Sequence, residues 1–184
     1  MSLLSIPRPE PDESSEYYRS YIAEVPDEDI GTHLVEQVSE LERLLSRLDD
    51  AAARSAYAPG KWSIKEVLGH LTDTERIFTY RLLRIARGDA TPLPGFDENA
   101  YVPSGQFDER PLGALLDELR AVRAATIALV QGVPEVGWSR RGKASDAAVS
   151  ARALVYIVVG HFTHHARVLG ERYLVSSASG AAAR

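Results

Sequence analysis

The sequence predicts an all-α protein: a four-helix bundle with long crossover loops and a short N-terminal helical extension. Three observations lead there. Four segments repeat apolar residues at the helical period, no segment alternates like a convincing strand, and long connections separate the helices. The chain has 184 residues, 45% of them hydrophobic, which suits one domain with a substantial core.

Residues 1–15, rich in proline and acids, read as an extended arm. In "EYYRSYIAEV", Tyr17, Tyr18 and Tyr21 have the spacing of a short helix or packing segment. The first bundle helix is expected from about Asp27 to Asp50, where Ile30, Leu34, Val38, Leu41, Leu45 and Leu48 form one stripe. The second opens at "SIKE", with Ser63 and Glu66 as a capping box, and stops near Gly88. The third follows "FDERP", with Asp108 as cap and Pro111 in the first turn, and ends at Gln131. The fourth runs from near Ser150 to about Tyr173. The bundle domain thus spans 16–174, and residues 175–184 read as a flexible tail. Between the second and third helices, the proline-rich stretch 89–107, with Phe96, Asp97, Asn99 and Tyr101, is a candidate to close over a substrate.

Composition narrows the function. A net charge of −5 without a basic stripe argues against nucleic acid. No cysteine is present, so disulfides and protein thiol nucleophiles are excluded, in keeping with a reducing cytoplasm. No secretory signal is seen, and the apolar run around 153–162 is too short to span a membrane. The expectation is a soluble cytoplasmic protein.

The chain has five histidines, and three fall within "GHFTHH". With about 100° per residue, His161 and His165 lie about 20° to either side of the centre of the apolar face set by Leu154, Ile157, Val158 and Leu169. His164 lies about 80° away, at the edge. Two imidazoles inside an apolar face need partners, and one metal ion satisfies both; the competing reading is two hydrogen-bonded core histidines. His70, on the border of the second helix's stripe beside Thr74, is the best third ligand.

Glu75 falls at the centre of that same stripe, between Leu71 and Phe78. It is a candidate general base, outer partner of a ligand histidine or extra ligand, or else an ion-pair partner of an arginine such as Arg76 or Arg81. Asp73 is a weaker candidate of the same kind. Gln37 is expected to be satisfied within the core and His33 to lie at its boundary. Arg140, Arg141 and Lys143 form a small basic cluster in the loop before the fourth helix, either solvated or a contact for an acidic substrate. No phosphate-cradling glycine loop, nucleophile elbow or H-E-x-x-H motif occurs.

"YAPGKWSIKEVLGHLTDTERIFTYRLLRIARGD", with "GHFTHH" about ninety residues beyond His70, resembles the DinB-like superfamily of bacterial metal-binding four-helix bundles. The resemblance covers Tyr17 to Tyr173. It implies a DinB-like bundle in which His70, His161 and His165 bind a divalent metal, zinc or nickel, with His164 a bystander. It further implies a homodimer acting on a small-molecule substrate. The superfamily includes S-transferases and isomerases that use low-molecular-weight thiols such as bacillithiol or mycothiol, metal-dependent hydrolases, and members induced by DNA damage. The leading expectation is therefore a metal-dependent S-transferase using such a thiol as cofactor. The alternatives are a metal-dependent hydrolase with Glu75 as the proton shuttle, and a non-catalytic metal-binding stress-response protein. Three neutral histidines leave a divalent ion with open positions, as catalytic rather than structural sites do.

Overall fold

The computed structural model describes residues 6–26 and 29–174. Seven α-helices are present among them: α1 (Glu16–Ala23), α2 (Ile30–Leu45), α3 (Ile64–Ala86), α4 (Glu98–Gly105), α5 (Leu112–Gln131), α6 (Glu135–Trp138) and α7 (Ala151–Val168). The four long ones form the bundle. α3 packs against α5 and α7, and α2 closes the ring by packing against the same two, so α2 and α3 face each other diagonally. A diagonal pair needs a connection across the bundle, which residues 46–63 make through a short 3-10 turn at Ala52–Arg54. No helix among the described residues is long and apolar enough to cross a membrane.

The helix ends follow local chemistry. Ser63 accepts from the Glu66 amide while Glu66 accepts from the Ser63 amide, the capping box expected for α3, and Gly88 takes up φ +84° just beyond its end. Ser150 caps α7 by accepting from the Ala153 amide, and past Val168 the helix widens into a π-helical turn, Leu169–Leu174. The predicted start of the first helix at Asp27 lies outside the described residues. Asp29 caps it, and it ends at Leu45, short of Asp50.

Asp50 has a different task. Its carboxylate accepts from the Leu112 amide and caps α5 from across the bundle. The expected cap, Asp108, sits instead in a 3-10 turn and accepts from Ser63 Oγ at 2.6 Å. The correction has a simple cause: Pro111 forces the residue before it, Arg110, into an extended conformation at ψ 146°, so the helix begins only at Leu112.

Residues 141–150, expected to be loop, form an antiparallel hairpin of β1 (Arg141–Ala144) and β2 (Ala147–Ser150). Its two turn residues, Ser145 and Asp146, both have positive φ, as a tight hairpin requires. No glycine marks that turn, so its signal is absent from the sequence. Leu93 pairs with Ala144 along the hairpin, which ties the 89–97 stretch to it.

The predicted basic cluster is paired locally, with Arg141 and Lys143 still half exposed. Arg140 donates to the Ala86 carbonyl, Arg141 pairs with Asp12, and Lys143 pairs with Asp146. The arm is docked rather than free: Glu13 is buried against Ser150 and Arg152, and the Tyr156 hydroxyl donates to the Ile6 carbonyl. Residues 1–5 and the predicted tail 175–184 lie outside the described residues.

Candidate metal centre

Three elements meet at one point in the bundle. α3 carries His70, α7 carries His161 and His165 on successive turns, and α1 lies across α7 beside them. The expected trio comes together: one ring nitrogen from each of His70, His161 and His165 lies within 4.8 Å of the other two. The ring centroids are 4.6–4.9 Å apart. Nε2 of His70 stands 3.0 Å from Nε2 of His161, while its Nδ1 faces Thr74 Oγ1 at 3.4 Å.

This donor set fits a divalent ion. Nitrogens bound to tetrahedral zinc stand about 3.3 Å apart, near the 3.0 Å between His70 and His161, and the third lies within 4.8 Å of both. Burial pushes the His70 pKa down to about 4 and that of His165 to about 3. His161 falls well below its ordinary value, again mainly through burial, with the neighbouring imidazoles adding to it. All three are therefore neutral at physiological pH, the form that binds metal. Thr74 holds the other nitrogen of His70, as the outer partner of a ligand histidine does.

The fourth helical histidine turns away. His164 Nδ1 lies 3.0 Å from a Glu24 carboxylate oxygen, which also accepts from Arg167. His33 is half-buried on α2. Gln37 is satisfied in the core as expected: it donates to the Val159 carbonyl and to Thr163 and accepts from Arg123.

Glu75 is not beside the histidines as a free base. Arg123, on α5, grips it in a two-pronged ion pair, with Nε and Nη2 at 2.8 and 2.9 Å from its two oxygens, and Thr126 Oγ1 donates to it at 2.7 Å. Both partners are under 5% exposed. The arginine is not one of those expected from the sequence: Arg76 pairs with Asp73 and Glu118, and Arg81 points elsewhere. Arg123 lies on the buried face of α5 with Leu119 and Thr126. A cation in that apolar stripe was the available signal for the partner of Glu75.

A cavity of about 160 Å³ opens over His70, His161 and His165. Its walls are largely aromatic, including Tyr17, Tyr21, Trp62, Phe78 and Phe96, and Glu98 supplies a carboxylate. The Trp62 ring packs 4.8 Å from His70, and the Tyr21 ring meets His161 edge-on at 5.3 Å. Burial raises the Tyr21 phenol above its ordinary pKa, with Tyr17 adding to the shift, so it stays protonated. The 89–107 stretch does contribute to the wall, through Phe96 and Glu98, but part of it is helix α4, capped by Asp97. The Tyr101 ring packs tilted against Phe96, their centres 5.5 Å apart. The aromatic residues of α1 and Trp62 were not singled out as site residues from the sequence; nothing in a short tyrosine-rich helix tells which cavity it will cover.

The architecture has solved counterparts. YfiT from Bacillus subtilis, described as a probable metal-dependent hydrolase with an unusual four-helix bundle topology, superposes with a TM-score of 0.73 at 17% identity, over 96% of this chain and 95% of that one. A mycothiol-dependent maleylpyruvate isomerase superposes with a TM-score of 0.64 at 16% identity, over 83% of this chain but only 62% of the isomerase. No curated protein matches the chain in sequence. Residues 33–169 match the DinB superfamily, a span that holds all three clustered histidines, and the chain belongs to that superfamily.

Proposed function

We propose that the protein is a divalent-metal-dependent enzyme, with His70, His161 and His165 holding zinc or nickel, and that it transfers a low-molecular-weight thiol onto a small electrophile. One observation carries this choice. The buried acid nearest in sequence to the metal-site histidine of α3, Glu75, is locked to Arg123 and is not free to act as a base for the cluster. Water needs such a base to be activated and to pass its proton on; a thiol, ionised far more easily, does not.

When bound, the divalent ion supplies Lewis acidity, which brings the pKa of a coordinated thiol toward neutrality. The chain's own residues do the rest. The three histidines orient the site, the aromatic walls shield it, and the Tyr17 and Tyr21 hydroxyls, 3.3 Å apart, offer hydrogen-bond donors to a developing negative charge. Sulfur then bonds to the electrophilic carbon as its leaving group departs, and the thiol proton goes to solvent. The fold similarity to a mycothiol-dependent enzyme supports this reading.

A hydrolase is the second reading. Glu98 lines the cavity and is a carboxylate able to accept a proton, and YfiT is described as a hydrolase. The deciding experiment offers zinc- or nickel-loaded protein a chloro-dinitrobenzene electrophile with mycothiol, bacillithiol or glutathione, and activated esters without thiol. Thiol-dependent adduct formation that is lost on chelation and in His161→Ala supports the transferase. Ester hydrolysis alone, lost in Glu98→Gln, overturns it in favour of the hydrolase.

A further inference from the structure

Arg81, further along α3 from His70, is a buried cation without a counter-charge among the described residues. Only 1% of it is exposed. Its Nη2 donates to the Pro94 carbonyl at 2.8 Å and to Ser145 Oγ at 2.9 Å, both neutral acceptors. Its Cζ lies 5.7 Å from the Phe78 ring centre and 5.9 Å from that of Phe96. Nη1 is buried with no hydrogen-bond partner, and no carboxylate among the described residues pairs with the guanidinium.

The chain treats its other large buried cations differently. Arg123 is gripped by Glu75, and Lys65 is paired with Asp50 at 2.7 Å. Two aromatic faces and two neutral acceptors compensate a desolvated guanidinium only in part, and its fork matches a carboxylate.

Its position says which ligand could supply one. Arg81 lines a cavity of about 270 Å³ together with Tyr80, Leu93, Pro94, Phe96 and Tyr101. Phe96 also lines the cavity over the histidines, as do Arg81's other contacts, Phe78 and Ser145. The guanidinium therefore stands in the partition between the two cavities. Phe78 bridges the distance, with its ring 6.0 Å from that of His161 and 5.7 Å from Arg81.

We propose that Arg81 is an anion-recognition residue, and that the cavity beside Phe96 takes the carboxylate end of a small molecule whose other end lies over the three histidines. The second half rests on the metal-dependent function proposed above; the carboxylate site does not. The carboxylate belongs either to the thiol or to the electrophile, and the two sources are separable.

The test uses full-length protein labelled with 15N, followed by the Arg81 Nε–H resonance and by calorimetry. Zinc-loaded protein receives 6-mercaptohexanoate or 6-mercaptohexanol, and metal-free protein receives hexanoate or hexanol. The acids are expected to shift the Arg81 signal and to bind at least tenfold more tightly than the matching alcohols, and Arg81→Gln is expected to erase that preference. Equal binding of acid and alcohol in the wild-type protein, or a preference that survives Arg81→Gln, overturns the proposal. If the variant fails to fold, the wild-type Nε–H signal decides. Should mercaptohexanol not bind the zinc-loaded protein, the metal reading fails, yet the hexanoate pair still judges Arg81. Hexanoate that binds alongside mercaptohexanol assigns the carboxylate to the electrophile; competition between them assigns it to the thiol.

Discussion

Gly160 of α7 lies directly against the backbone of Tyr21 in α1: a Cβ on Gly160 would stand 1.9 Å from the Tyr21 carbonyl oxygen. The next residue is His161, against which the Tyr21 ring packs edge-on. The missing side chain is thus what lets the tyrosine-bearing helix approach the histidines and wall their cavity. Gly160→Ala should push α1 outward and cost about 1–3 kcal/mol despite the better helix propensity of alanine. Gly170→Ala, whose Cβ would come no closer than 4.0 Å to Leu44, is the control and should be near neutral. Urea denaturation of both variants checks this; equal stabilities would mean that α1 is not held in this contact.

The Glu75–Arg123 pair should behave as a structural unit rather than as catalytic machinery. Its members are buried, so Glu75→Gln leaves the guanidinium of Arg123 without its counter-charge, at a cost of about 3–5 kcal/mol. Glu75→Leu combined with Arg123→Met should cost clearly less than the sum of the two single changes. The metal content of every folded variant should equal that of the wild type. A Glu75→Gln protein of unchanged stability and no activity would reverse this assignment and return Glu75 to the chemistry.

How far the site was legible follows from which residues report on themselves. His161 and His165 announce their direction because an imidazole in an apolar stripe is anomalous, and one helix sets the angle between them. His70 needed the second helix as well, yet it still lay on a periodic element. Tyr17, Tyr21 and Trp62 are different, because aromatic residues at helical spacing look the same whether they line a core or a cavity. Glu75 was visible as an anomaly, but its meaning depended on Arg123, 48 residues away on a helix whose packing partner the sequence does not name. The hairpin stayed hidden because Ser145 and Asp146 adopt positive φ without a glycine.

The histidines should separate into two classes on substitution. His70→Ala, His161→Ala and His165→Ala each remove one of three clustered nitrogens, and metal per chain should fall from near one to near zero. His164→Ala removes the contact with Glu24 and edge-on ring contacts with Tyr21 and His165 but no nitrogen of the cluster, so metal content should hold while stability changes by about 1 kcal/mol. Elemental analysis of untagged protein after metal loading is the measurement. Equal loss in all four would mean that α7 presents a different face to α3.

Metal-free protein should also weaken as the pH falls through the range in which ordinary histidines titrate. An unfolded chain protonates its imidazoles near pH 6.5, whereas the folded state holds His70 neutral down to about 4 and His165 down to about 3. Between those limits the unfolded state binds more protons, so stability is complete above pH 6.5 and declines toward pH 4, by about 1.4 kcal/mol per pH unit for each such histidine. The carboxylates of Glu13 and Glu24, held low by Arg152 and Arg167, add their own loss only as the pH drops below their ordinary range near 4.5. Melting curves of chelator-treated protein from pH 7.5 to 5 should therefore show a steady fall in Tm. The triple variant His70→Asn, His161→Asn, His165→Asn should flatten that fall. Added zinc, which binds only the neutral imidazoles of the folded state, should raise Tm most at the upper end of the range and progressively less toward pH 5. A wild-type Tm that stays level across this interval would mean that the three rings are not buried as a neutral cluster.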